Sequence, residues 1–270
     1  MDKQAQLRDT ASYWAYSAGW GAVRRMPEPA ATALFNRLAD RSWAARGRRI
    51  LQLEANLAVV DPAAGPDQLA AMSRESTRRY MRYWQEMFRL PDWTAGQIVD
   101  RFTCIDEQNI VDSLAAGGGA VIATAHMGNY DHVAAWAAAT GRPLTTATGR
   151  PLTTVAERVR PEKLYQAFTA RRTAMGTGIY PTGTPHVADL LAAEIRDRSR
   201  IVALLCDRDM SASGVPVTFF GRPTTLPGGP ARLALRTGAP LHTAPGWHTA
   251  GQTAVRIDAA IPVPGWAPVG

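Results

Sequence analysis

Two short apolar runs constrain this chain most. Ala120-Val121-Ile122-Ala123-Thr124-Ala125 and Ile201 to Cys206 are of strand length and too short for a buried helix. Gly117-Gly118-Gly119 forms a turn before the first run, His126 ends it, and a helical pattern begins near Tyr130. The second run follows a helix-like segment from His186 to Asp197 and ends at Asp207-Arg208-Asp209. Leu241 to Trp247 and Ala254 to Ile261 are further strand candidates, and Gly229 to Thr237 reads as a helix. Strands alternating with helices predict an α/β layer fold.

The first ninety or so residues read as helical instead. Helices are expected over about 30–46, 48–58 and 67–90, with a turn at Pro27 and Pro29 and a link from Pro62 to Pro66. Residues 1–270 are expected to form a single domain, helical over residues 1–92 and α/β over residues 93–270. Tyr13, Tyr16, Trp20 and Val23 recur at helical steps, with Arg24 and Arg25 just after. Such a helix either docks on the core or lies in a membrane interface, where Trp and Tyr are favoured and Arg meets anionic headgroups. Tyr80, Trp84 and Phe88 share one helix face, which predicts core packing there.

Gly141-Arg142-Pro143-Leu144-Thr145-Thr146 recurs unchanged as Gly149-Arg150-Pro151-Leu152-Thr153-Thr154. One short duplication makes no solenoid, which needs at least about 3 repeats. It reads as a duplicated insertion in a loop, where added length costs little. Only one copy can hold a given strand position.

A net charge of +7 points to an anionic partner. Nucleic acid, an anionic membrane surface and a phosphorylated small molecule all satisfy the charge, but no helix-turn-helix or RNP-type signature supports nucleic acid. The two cysteines, Cys104 and Cys206, read as reduced, and their spacing argues against a zinc site. No metal is expected. No secretory signal is visible and no apolar run reaches the ~18 residues of a spanning helix, so a membrane role would be peripheral. There is no Gly-x-Ser-x-Gly elbow and no phosphate-binding P-loop.

His126 and Asp131 are the acid–base pair of interest. On one continuous helix a five-residue step is ~500°, which leaves the two side chains ~140° apart. With His126 at a strand end and Asp131 in the next helical turn, the chain reverses between them, Gly128 permits the turn, and the carboxylate can approach the imidazole. Ligands of open α/β sheets bind at such strand ends. A His held there by a carboxylate acts as a general base, and the following helix N-terminus offers amides to an oxyanion. The alternative is a His that merely caps the strand.

The segment His126-Met127-Gly128-Asn129-Tyr130-Asp131 resembles the H-x4-D/E motif of the membrane glycerolipid and lipid A acyltransferases. Its Gly-Asn-aromatic-acid form is similar to the late acyltransferases of lipid A biosynthesis, and the whole chain is similar to the actinobacterial phosphatidylinositol mannoside acyltransferases. Ala18-Gly19-Trp20, Arg79 to Trp84, Thr154 to Arg158 with Pro161 to Tyr165, and Asp207-Arg208-Asp209 with Gly214 to Gly221 carry that likeness. The resemblance implies a central mixed sheet flanked by helices, with a helical N-terminal region. It implies transfer of an acyl group, palmitoyl for instance, from acyl-CoA to a mannose hydroxyl of mannosylated phosphatidylinositol, at the cytoplasmic face of the plasma membrane. Acyl-CoA would be a co-substrate, and no cofactor is implied.

By the same resemblance His126 is the base, Asp131 the motif acid, and Asp207 the carboxylate that pairs with the base, with Asp209 as the substitute. Arg172 matches a position that binds acyl-CoA, Ser213 one that contacts the acyl donor, and Glu157 one on the acceptor side. Two departures stand out. The duplication adds eight residues near the expected acceptor groove, and a further C-terminal helix usual in the family has no counterpart before Gly270, which predicts exposed apolar surface. A weakened lipid- or acyl-CoA-binding protein of the same fold, and an acyltransferase for another glycolipid, are the competing readings.

Overall fold

The structure, a computed structural model, describes residues 18–116, 118–140, 152–198, 200–209 and 213–262. The described residues fall into two compact units, bounded by Ser17–Asp92 with Thr218–Thr224 and by Trp93–Val217 with Thr225–Gly270. Among them no helix is long and apolar enough to cross a membrane.

The helical unit contains α1 (18–25), α2 (Glu28–Ala44), α3 (Arg48–Val60) and α4 (Pro66–Arg89). Pro66 opens α4, where the N–H that proline lacks would have had no helical partner. Ala31, Phe35 and Ala39 of α2 are buried, as are Tyr83 and Met87 of α4. Trp20 and Val23 of α1 are buried too, and the Trp20 indole donates to the Phe88 carbonyl at 2.8 Å. At these two positions the helix is docked; Tyr13 and Tyr16 lie outside the described residues. The Tyr80–Trp84–Phe88 face is core only in part. Trp84 and Phe88 are half-buried, with Phe88 packed 5.0 Å from the Trp20 ring, but Tyr80 is 60% exposed. Arg74 and Arg78 both fork onto Asp40, which holds that carboxyl well below the usual carboxylate range.

The α/β unit runs α5 (Ala95–Asp100), β1 (Phe102–Ile105), α6 (Gln108–Ala115), β2 (Ala120–Thr124), α7 (Tyr130–Thr140), β3 (Leu152–Ala156) and α8 (Glu162–Ala174). It continues with β4 (Gly178–Pro181), α9 (Val187–Arg198), β5 (Ile201–Leu205), α10 (Gly229–Thr237), β8 (Leu241–Thr243), β9 (Gly246–His248) and β10 (Thr253–Arg256), while the hairpin of β6 (Val215–Phe219) and β7 (Arg222–Leu226) is divided, its tip Thr218–Thr224 counting with the helical unit. The main sheet has strand order β4-β3-β5-β2-β8, and every pair in it is parallel. A smaller sheet, β1-β10-β9, is the mixed one: β1 and β10 are parallel, β10 and β9 antiparallel.

Both faces of the main sheet are covered. Ala120 and Ile201 pack with Phe102, Ile110 and Trp136 on one side; Val121 and Val202 pack with Leu191, Ile195 and Leu233 on the other. A strand buried on both faces needs apolar residues at every position, which is why these runs show no alternation. The α/β fold expected from them is therefore present.

Two strand expectations need correction. Leu241 to Trp247 is two strands in different sheets, β8 and β9, because Pro245 has no N–H to continue a ladder. The strand expected over Ala254 to Ile261 ends at Arg256, and Ile261 forms only an isolated bridge to Leu241. The duplication resolves in favour of its second copy: Leu152-Thr153-Thr154 enters β3, while residues 141–151 lie outside the described residues.

One buried histidine stitches this unit together. His242 of β8 is fully buried, and its Nδ1 lies 2.9 Å from the Asp258 carbonyl oxygen, which only accepts. Nδ1 thus carries the proton, and Nε2 accepts from the Ser113 hydroxyl at 2.9 Å. Burial pushes the imidazole below its ordinary value of 6.5. Above that pH both folded and unfolded states are neutral there and His242 adds no pH dependence. As pH falls below it, only the unfolded chain takes up the proton, so stability declines by up to about 1.4 kcal/mol per pH unit until the folded imidazole also protonates. Denaturant titrations between about pH 7 and about pH 5 should show a shallower decline for His242→Asn than for the wild type. Equal slopes would assign the acid sensitivity to other groups.

Candidate active site

Neighbouring strands deliver the central pair. β2 and β5 are parallel partners with Thr124 opposite Leu205. The ladder runs one residue further, with the Cys206 amide donating to the Thr124 carbonyl at 2.9 Å. His126 and Asp207 each lie two residues past that register pair, so they emerge side by side at the carboxyl edge of the sheet. Asp207 Oδ1 is 2.8 Å from His126 Nδ1. The side chains are 39% and 31% exposed, so the pair is held by protein on one side and open on the other.

Asp131 is committed elsewhere. In the first turn of α7 its side chain is 5% exposed, and both its oxygens receive the Arg172 guanidinium, at 2.6 and 3.1 Å. The carboxylate that holds the imidazole is therefore Asp207, not the Asp131 that chain reversal alone brings near it. The structure brings Arg172, expected at the acyl donor, onto Asp131. Tyr130 lies between the two pairs: its ring meets His126 edge-on at 5.9 Å, and the Arg172 guanidinium sits 5.9 Å from the same ring. Sequence reasoning assigns Tyr130 nothing beyond a helix start; the aromatic residue inside the motif was the available signal.

The turn between His126 and α7 is tightly specified. Gly128 has φ +59°, and a Cβ there would lie 2.8 Å from the Trp247 backbone nitrogen. Asn129 is buried, and its Oδ1 accepts from the His132 amide at 3.0 Å, capping α7. That first-turn amide is thus taken by the cap and is not one for an oxyanion. Gly128→Ala is expected to destabilise the protein by roughly 2–4 kcal/mol, the sum of a left-handed non-glycine residue and an overpacked contact. Chemical denaturation checks this; a variant as stable as the wild type would mean that the turn relaxes away from Trp247.

The remaining expected residues sit apart from the pair. Glu157 is exposed just past β3, on the same edge of the sheet. Ser213 is exposed before β6, and its carbonyl accepts from Arg232 of α10 at 3.0 Å. Asp209 receives the Thr225 hydroxyl at 2.9 Å. Among the described residues none of these three is joined to His126 or Asp207. Cys206, next to Asp207, is a thiol pushed up by burial and then by the Asp207 charge, which disfavours a nucleophilic thiolate.

The parallel α/β sheet thus carries a His–carboxylate pair at its carboxyl edge, its His opening the H-x4-D spacing whose resemblance implies an acyltransferase. Residues 1–261 match the family described as "Bacterial lipid A biosynthesis acyltransferase", and the chain belongs to it. A Mycolicibacterium smegmatis protein named "Phosphatidylinositol mannoside acyltransferase" is 40% identical over 237 residues, covering 86% of this chain and 73% of that protein. A Mycobacterium tuberculosis protein of the same name is 40% identical over 247 residues, covering 89% of this chain and 74% of its own.

Proposed function

We propose that the protein transfers a fatty acyl group, palmitoyl for instance, from acyl-CoA to a mannose hydroxyl of a phosphatidylinositol mannoside. The observation that carries the reading is the His126–Asp207 pair. With Nδ1–H donating to Asp207, Nε2 is the nitrogen that takes up a proton. The acceptor oxygen attacks the thioester carbonyl while its proton passes to Nε2, and the negative Asp207 steadies the imidazolium. The tetrahedral intermediate then collapses, the C–S bond breaks, and the imidazolium returns the proton to the CoA sulfur. Neither a metal nor a covalent enzyme intermediate enters this sequence. Asp131 and Arg172 are assigned to holding the site together, with Arg172 also offering positive charge to the acyl donor; Ser213 is assigned to the donor side and Glu157 to the acceptor side.

The relatives' names support the mannoside acceptor, and the positive net charge suits both acyl-CoA and a peripheral position at an anionic cytoplasmic membrane face. Purified protein given palmitoyl-CoA and a phosphatidylinositol mannoside should release free thiol and acylated glycolipid in equal amounts. Absence of turnover, with palmitoyl-CoA still raising the melting temperature, would establish a binding protein instead. Turnover with a different glycolipid and none with the mannoside would reassign the acceptor.

A further inference from the structure

We propose that the tip of the β6–β7 hairpin is a wedge that inserts into an anionic phospholipid surface; this rests on the glycolipid reading above. The tip is Phe219-Phe220-Gly221-Arg222. Phe219 is 55% and Phe220 53% exposed, and their rings pack on each other edge-to-face with centroids 4.6 Å apart. Single exposed apolar residues need no explanation, but two adjacent large aromatics presented together at a turn do.

Backbone strain points the same way. Phe220 has φ +47° and Gly221 φ +71°, so both central residues of the two-residue turn are left-handed. Such turns favour Asn-Gly, and a bulky residue in the first position costs about 1–2 kcal/mol. Local stability thus argues against the residue that is present. Its ring gains little compensating burial, since it stays half in water. Strain accepted at an exposed aromatic tip points to use of that tip.

The charge around the tip selects the partner. Arg222 follows the turn directly, no acidic residue occurs from Gly214 to Leu226, and Asp209 meets the hairpin at its base, through Thr225, and not at the tip. Aromatic rings beside an arginine, on a chain of net charge +7, match a bilayer interface with anionic headgroups. Rings at this depth, about 5–10 Å into the headgroup–acyl boundary, bury apolar area while the guanidinium stays with phosphate.

The test is co-sedimentation of the full chain with sucrose-loaded vesicles of phosphatidylcholine alone or mixed equally with phosphatidylglycerol. The wild type is expected to bind the mixed vesicles. The variant carrying Phe219→Ser and Phe220→Asn is expected to bind them at least about tenfold more weakly, from the loss of two inserting rings. Because Phe220→Asn restores the preferred turn residue, that variant should melt no lower than the wild type, which separates lost binding from lost fold. Arg222→Gln should weaken binding to the mixed vesicles only. Equal binding by wild type and double variant would overturn the proposal, as would failure of the wild type to bind. So would a change in self-association instead, seen by sedimentation equilibrium, which would make the tip a contact between copies. Transfer of a short acyl chain to a water-soluble mannoside reports on the proposed function separately and should not respond to the tip substitutions.

Discussion

Replacing His126 by alanine is expected to lower acyl transfer by about three orders of magnitude with little change in melting temperature. The imidazole is 39% exposed and its bond within the protein is to Asp207, so its removal disturbs little packing. General acid–base catalysis contributes about 10²–10⁴-fold, and here one group would serve both as base toward the mannose hydroxyl and as acid toward the leaving sulfur. The loss should fall on kcat, since the side chain acts on the proton in flight rather than on the resting substrates. Asp207→Asn should lose less, about tenfold to a hundredfold. An amide still holds the ring but no longer carries the charge that stabilises the imidazolium. Steady-state kinetics on the two variants decide the matter. An unchanged rate for His126→Ala would remove it from the chemistry, and an unchanged rate for Asp207→Asn would leave Asp207 as packing only.

Removing one partner of the Asp131–Arg172 pair should be the largest stability effect in the site. Asp131 is 5% exposed and Arg172 22%, and two hydrogen bonds join them. Arg172→Leu takes the forked guanidinium away from a buried carboxylate, and breaking a buried pair from one side costs about 3–5 kcal/mol. For a chain of this size that is a fall in melting temperature of roughly 10 °C. Asp131→Asn with Arg172→Leu should recover most of it, because the buried negative charge is then gone. The coupling energy from the double-mutant cycle is the discriminating quantity. Additive losses would mean that the two side chains stabilise the protein independently. Activity should fall in all three variants, since Tyr130 touches both this pair and His126.

Much of this was legible in local pattern. The helices at 28–44, 48–60 and 66–89 and the strands at 120–124 and 201–205 follow from periodicity, turn residues and apolar runs read a few residues at a time. The strands β1 and β4 and the β6–β7 hairpin escaped that reading. They are short, and each strand of the hairpin carries a proline, Pro216 or Pro223, which argues against a strand when read locally. Leu241 to Trp247 looked continuous because a proline's missing N–H matters only once the neighbouring strand is known. The duplicated segment offered two equivalent candidates for one strand, and only sheet pairing with β4 and β5 selected the second copy.

The candidate site divides along the same line. The sequence by itself placed His126 and Asp207 each just past a buried strand, because a run of small and branched apolar residues ending in a polar one is a local signal. What only the tertiary structure decided is that those two strands are neighbours in equal register. The order of strands in a sheet is set by how helices pack over both faces, which no window of the chain contains. That order makes Asp207, 81 residues away, the partner of His126. It leaves Asp131, five residues away, to Arg172, because the helix that carries Asp131 turns that side chain toward α8.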